Sequence, residues 1–167
     1  MPRRVLIAAI LAMTLHGAQA AGTRDLPPVV IYGPDPCLAC MEWAYHLMEN
    51  GFSVTFNATR DMAALKRRLG VPQKAESVLT AKVGRYFVEG HVPAEDIKQL
   101  LLDKPRARGL AVPGLPLGAP GFEGGDPTCE AGCTIVDAGS SERESQRELY
   151  DTLLVAPNGK TSVYARH

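Results

Sequence analysis

The sequence has no excess of charge of either sign: its 167 residues carry 18 Lys and Arg against 18 Asp and Glu. A chain without a basic field has nothing to draw it to nucleic acid. It also lacks an apolar run long enough to cross a membrane. The run at the amino terminus, residues 5–15, is eleven residues long, whereas a spanning helix needs about 20. There is no Ser/His/Asp array, no phosphate-cradling P-loop and no internal repeat, so hydrolase and nucleotide chemistry are remote. Cysteine is scarce at four residues. What remains is 46% hydrophobic and 22% charged, the composition of one ordinary globular domain, with 16 Gly and 13 Pro foretelling much irregular chain.

The amino terminus reads as a secretory signal peptide over residues 1–20. Arg3 and Arg4 form its basic start, residues 5–15 its apolar stretch, and Ala18-Gln19-Ala20 a small-x-small cleavage site. No cysteine follows that site, which argues against a lipid anchor. The expectation is a periplasmic protein starting near Ala21, with no membrane span after cleavage and with all four cysteines in an oxidising setting.

Residues 28–33 are a β-branched run closed by Gly-Pro-Asp-Pro, a buried strand and a turn. Cys40, Trp43, Ala44, Leu47 and Met48 then recur at helical spacing up to Gly51, so Cys37-Leu38-Ala39-Cys40 opens an amphipathic helix. Residues 52–56 alternate as a second strand, and Met62, Leu65 and Leu69 mark a second helix ended by Gly70. Residues 78–83 and 86–89 form a hairpin about Gly84-Arg85. A third helix follows Pro93, with Glu95 and Asp96 at its positive end and Ile97, Leu100 and Leu101 facing inward. The order βαβαββα, with CxxC between the first strand and helix, resembles the thioredoxin fold over residues 28–104.

Residues 109–125 hold six glycines and three prolines together with Leu110, Val112, Leu115, Leu117 and Phe122. This reads as an irregular flap packed over the domain, because Gly and Pro disfavour regular elements while the leucines seek burial. Residues 126–148 are polar, have little to bury and read as a mobile insertion carrying Cys129 and Cys133. Residues 149–155 and 161–165, about Pro157-Asn158-Gly159, read as a terminal β-hairpin. The expected organisation is therefore a single α/β domain over residues 28–167.

A CxxC at a helix start brings two sulfurs together where the helix dipole and free N–H groups stabilise a thiolate. Cys37 is the expected exposed, reactive member and Cys40 the protected one. Three uses stand open: soft-metal binding, with Cu(I) ahead of Zn(II); thiol–disulfide exchange, with Cys37 as nucleophile and Cys40 as resolver; and an inert disulfide. The exchange reading is weakened because residues 78–80 carry no proline where thioredoxin-type enzymes place a cis-proline. His91, before the third helix, is read as an exposed or capping imidazole or a third metal ligand. His46 is read as a surface residue and His167 as a frayed terminus. Cys129 and Cys133 suit a local disulfide or a contribution to a metal site.

The strand-CxxC-x-x-Trp opening, Gly90-His91-Val92-Pro93-Ala94 and the segment from Gly109 to Pro116 resemble the CopG-type periplasmic proteins, a family linked to copper resistance. The resemblance covers residues 28–125 and returns at 150–155. It implies a thioredoxin-like, exported metal-binding protein whose thiols and imidazoles handle copper, with metal ions and periplasmic metal-handling or thiol-redox proteins as partners. The departures cluster at ligand positions. Ala39 stands where the family carries a third cysteine, Val78 and Leu79 stand where it carries Cys-His, and Leu115 and Phe122 lie in a flap where it carries methionines. The expectation is a metal-binding protein rather than an enzyme, with a reduced or altered site built on Cys37, Cys40 and His91, and Cys129 and Cys133 as further candidates.

Overall fold

Alternating β-branched and aromatic residues, three helices with one apolar stripe each, and short turns build one mixed sheet with helices against it. The computed structural model describes residues 26–122 and 148–167. In chain order it runs β1 (Val29–Gly33), α1 (Leu38–Glu49), β2 (Val54–Ala58), α2 (Met62–Leu69), a single 3-10 turn (Gln73–Ala75), β3 (Thr80–Val83), β4 (Tyr86–Glu89), α3 (Ala94–Asp103), β5 (Gly109–Ala111), β6 (Asp151–Val155) and β7 (Thr161–Arg166). The seven strands lie in the order β2-β1-β3-β4-β5-β6-β7. β1 pairs with β2 and β4 with β5 in parallel; all other neighbours are antiparallel. The βαβαββα order and the terminal hairpin are those expected from the sequence.

The two faces of the sheet carry unequal cores. Trp43 and Leu47 of α1 and Ile97 and Leu100 of α3 pack with Ile31, Ala81, Val88 and Leu110 in the larger one. The smaller holds Val71, Ala75, Phe87, Ala111 and Val155, with Leu69 of α2 against it. Strand alternation sends Val88 and Leu110 to one core and Phe87 and Ala111 to the other.

The segment beginning at Gly109 departs from its sequence reading. Gly109–Ala111 is not flap but a buried strand joining β4 to the terminal hairpin. Gly109 was read as a breaker, yet the packing requires it: a Cβ there would stand 1.9 Å from the Phe87 carbonyl oxygen. Beyond it, residues 112–122 are irregular, with Val112, Pro116, Ala119 and Pro120 buried.

Two further readings change. Met48, which its spacing places on the apolar stripe of α1, is 45% exposed. His167 is not frayed: its Nε2 lies 2.9 Å from Asp96 Oδ2, and its ring stacks on Tyr150 with centroids 4.9 Å apart. Thr152 donates to the same Asp96 oxygen at 2.6 Å, so the end of the chain is tied to the first turn of α3. Residues 1–20 and the Cys129–Cys133 insertion lie outside the described residues. Among those described, no helix is long and apolar enough to cross a membrane.

Candidate functional site

β1 runs buried to Gly33, and the turn Pro34-Asp35-Pro36 delivers Cys37 to the N-cap of α1 with extended backbone, φ −138° and ψ 93°. A residue there faces helical N–H groups that have no intrahelical acceptor. The Cys37 sulfur fills the capping role, accepting from the Cys40 amide at 3.2 Å. Cys37 and Cys40 form a disulfide with Cα atoms 5.3 Å apart. Cys37 is partly exposed, whereas Cys40 is fully buried in the larger core.

Gly33 sits directly beneath the bond. A Cβ at Gly33 would stand 2.5 Å from Cys40 Sγ and 3.5 Å from Cys37 Sγ. Gly33→Ala is therefore expected to destabilise the oxidised protein by about 1–3 kcal/mol, the usual cost of overpacking. The loss should shrink on reduction, because a free Cys40 side chain can turn away. Thermal unfolding of both proteins with and without reductant checks this; an equal loss in both states would refute it.

His91 lies against the same helix turn but not as an exposed or capping residue with ordinary titration. It is fully buried, and its Nε2–H donates to the Ala39 carbonyl at 3.2 Å. That bond leaves Nδ1 as a buried lone pair with no hydrogen-bond partner among the described residues. Burial lowers its pKa to about 4, and the bond to Ala39 only partly opposes this. The imidazole is thus neutral at physiological pH. Its ring meets Trp43 edge-on at 6.4 Å.

His46 is also more than a surface residue: its Nε2 accepts from the Ala94 amide at 3.1 Å, at the start of α3. Trp43 Nε1 donates to Val92 O at 2.9 Å. Ala39, Trp43 and His46, successive turns of α1, are therefore bonded to His91, Val92 and Ala94. The helix that carries the disulfide is fixed to the corner before α3 at three points. Sequence reasoning missed Trp43 and His46 as positioning residues, because their partners are about 50 positions away and have no periodic signature.

The other face of α1 is bare. Leu38, Met41, Tyr45 and Met48 are each 45–57% exposed and recur at three and four along the helix from the disulfide onward. Residues 112–122 cross α1 at a neighbouring point, where a Cβ on Gly121 would stand 2.6 Å from the Trp43 amide nitrogen.

Of the proposed ligands, the structure brings Cys37 and Cys40 together and places His91 behind Ala39. Among the described residues, no group of three or more His, Cys, Asp or Glu side chains is placed to hold a metal ion. Val78 and Leu79, which the sequence resemblance implies as ligand positions, are apolar and lie in different settings: Leu79 is buried in the core and Val78 is 41% exposed.

Behind that segment lies a buried polar network. Glu89 accepts from Lys66 Nζ at 2.6 Å, from the Ser77 amide at 2.7 Å and from Thr80 Oγ1 at 2.6 Å. Lys66 also donates to the Ser77 carbonyl, and Ser77 Oγ to that of Gly114, so one carboxylate anchors the approach to β3 and, through Ser77, the irregular segment. Burial raises the Glu89 pKa against the lowering effect of these partners, with Lys66 the strongest.

A disulfide capping the first helix of a mixed α/β sheet, partly open on one sulfur, defines a thiol-bearing α/β protein. Residues 75–122 match a family described as a protein of unknown function, DUF411. No curated protein sequence matches. Two solved structures of the copper resistance protein CopG, in two forms, each align at 33% identity with a TM-score of 0.69, covering 85% of this chain and 98% of theirs. The chain belongs to the CopG family.

Proposed function

We propose that this chain is an exported copper-handling protein that carries Cu(I) on the reduced Cys37–Cys40 dithiol. The observation carrying the reading is the pair itself: two soft sulfurs in bonding reach at a helix N-terminus, in a member of the CopG family. The fit is to one ion rather than a cluster. Two thiolates suffice for linear Cu(I), whereas the further soft ligands of the family pattern are replaced by Ala39, Val78, Leu79, Leu115 and Phe122.

Loading balances as follows. An external protein dithiol gives two electrons and two protons, the S–S bond breaks, and the donor departs as its own disulfide. Cu(I) then displaces the two thiol protons. The helix N-terminus favours the Cys37 thiolate, and the buried Cys40 keeps competing thiols away. His91 donates to the Ala39 carbonyl and so holds the turn between the sulfurs.

Anaerobic Cu(I) and Zn(II) titration of the reduced protein with thiol counting tests the reading. The expected result is one tightly held Cu(I) per chain, weakened more than about a hundredfold by Cys37→Ser or Cys40→Ser, beyond the usual cost of losing an outer-sphere partner. Unchanged affinity in both variants would refute it. A stoichiometry above one, reduced by Cys129→Ser/Cys133→Ser, would add the insertion as a second binding element.

Thiol–disulfide exchange with a protein substrate is the second reading. Leu38 and Met41, exposed beside Cys37, favour it by offering an apolar surface to an incoming chain. Rapid reduction of a protein disulfide by the reduced chain, with no tight Cu(I) binding, would select it.

A further inference from the structure

Lys and Arg equal Asp and Glu over the whole sequence, but not locally. Arg67, Arg68, Lys82, Arg85 and Arg108 line one open cavity of about 500 Å³, and no acidic side chain is among its lining residues. These five cations come from α2, β3, the β3–β4 turn and the entry to β5. The register fixes where they meet. Lys82 pairs with Phe87, which belongs to the core on the α2 side of the sheet. Val83 lies beside Val29, at the start of β1, whereas the disulfide follows the other end of that strand. The cavity and the disulfide are therefore at opposite ends of the sheet.

Two of the cations are held in place. Arg85 Nη2 donates to Tyr86 Oη at 2.7 Å and to the carbonyls of Lys104 and Pro105 at 2.8 and 3.0 Å, with the guanidinium over the Tyr86 ring. Arg108 Nη1 donates to Gly70 O at 3.1 Å. Both keep further N–H groups beyond the bonded one. Arg67, Arg68 and Lys82 are not among the described residues with ion pairs or side-chain hydrogen bonds.

A solvated cationic face that offsets the negative end of α2 accounts for Arg67 and Arg68, which stand in its last turn. It does not account for Lys82, Arg85 and Arg108. Bringing five like charges around one hollow raises their mutual repulsion, which a multiply charged anion relieves. Guanidinium forks match the tetrahedral, multi-acceptor oxygens of phosphate, and the fixed pair loses little freedom on binding.

We propose that this cavity is a binding site for a ligand bearing phosphate groups with at least two negative charges. The chemistry is shared by a free oligophosphate and by a phospholipid headgroup with two phosphates, as in cardiolipin. The proposal is independent of the copper reading, since none of its residues touches Cys37 or Cys40.

The test is calorimetric titration of the chain with inorganic pyrophosphate at low salt, and sedimentation with vesicles of phosphatidylcholine containing cardiolipin or of phosphatidylcholine alone. Pyrophosphate is expected to bind, and Arg68→Gln/Lys82→Gln/Arg108→Gln to weaken it by about tenfold or more, as loss of charge-assisted bonds implies. Lys160→Gln/Arg60→Gln, outside the cavity, should leave affinity unchanged. Co-sedimentation with the cardiolipin vesicles alone, competed by pyrophosphate, would identify the headgroup as the source; binding of pyrophosphate without vesicle binding would identify a free phosphate. Amide shifts confined to residues 67–70, 82–87 and 107–108 of the unaltered chain keep the test valid should the triple variant misfold. Absence of binding to either probe, equal loss in the control variant, or shifts elsewhere would overturn the proposal.

Discussion

Lys66→Met is expected to destabilise the protein by about 3–5 kcal/mol, the cost of leaving one member of a buried ion pair alone. Lys66 and Glu89 side chains are 6% and 0% exposed, and their atoms meet at 2.6 Å. Without the ammonium, a carboxylate already pushed up by burial retains only Ser77 and Thr80 as partners. Lys66→Met/Glu89→Gln should cost clearly less than the sum of the single changes, because the amide oxygen still accepts from Thr80 or Ser77 and no charge is buried. Urea unfolding of the four proteins measures the coupling, and strict additivity would refute it. Hydrogen exchange should localise the loosening to residues 76–80 and 112–114, the chain that this carboxylate anchors.

The second large effect is a pH dependence in the oxidised, metal-free protein. His91 has its pKa lowered from 6.5 to about 4 by burial, so in that window the unfolded chain binds a proton that the folded chain refuses. Stability from this group is fully present above pH 6.5 and is lost as pH falls through the folded value, by about 3 kcal/mol in all at 1.36 kcal/mol per unit. Since carboxylates titrate in part of the same range, His91→Gln supplies the reference: its amide can still donate to the Ala39 carbonyl but does not titrate. The two stability curves should diverge between pH 4 and 6.5. Parallel curves would show that His91 accepts its proton in the folded state.

Both predictions concern groups whose settings the sequence shows only in part. The CxxC was legible, because its spacing and the Trp43/Leu47 stripe together define a helix with two sulfurs at its start. The order of elements along the chain was legible for the same kind of reason: period-two and period-three-to-four apolar patterns are local. Gly109–Ala111 was not, since a three-residue strand beginning with glycine is indistinguishable from loop until β4 is found beside it. His91, His46 and His167 were misread alike. Each is a polar residue near an element end, where exposure is the common outcome, and each is instead bonded to a residue far along the chain.

The sequence by itself determined the helices, six of the seven strands and the dithiol motif, because these depend on neighbours in sequence. Only the tertiary structure decided that His91 is buried behind the disulfide, that Gly33 leaves room for it, that Lys66 and Glu89 meet, and that five cations from four segments share one cavity. Burial and charge proximity depend on which distant segments the sheet brings together, and that register is a property of the packed whole.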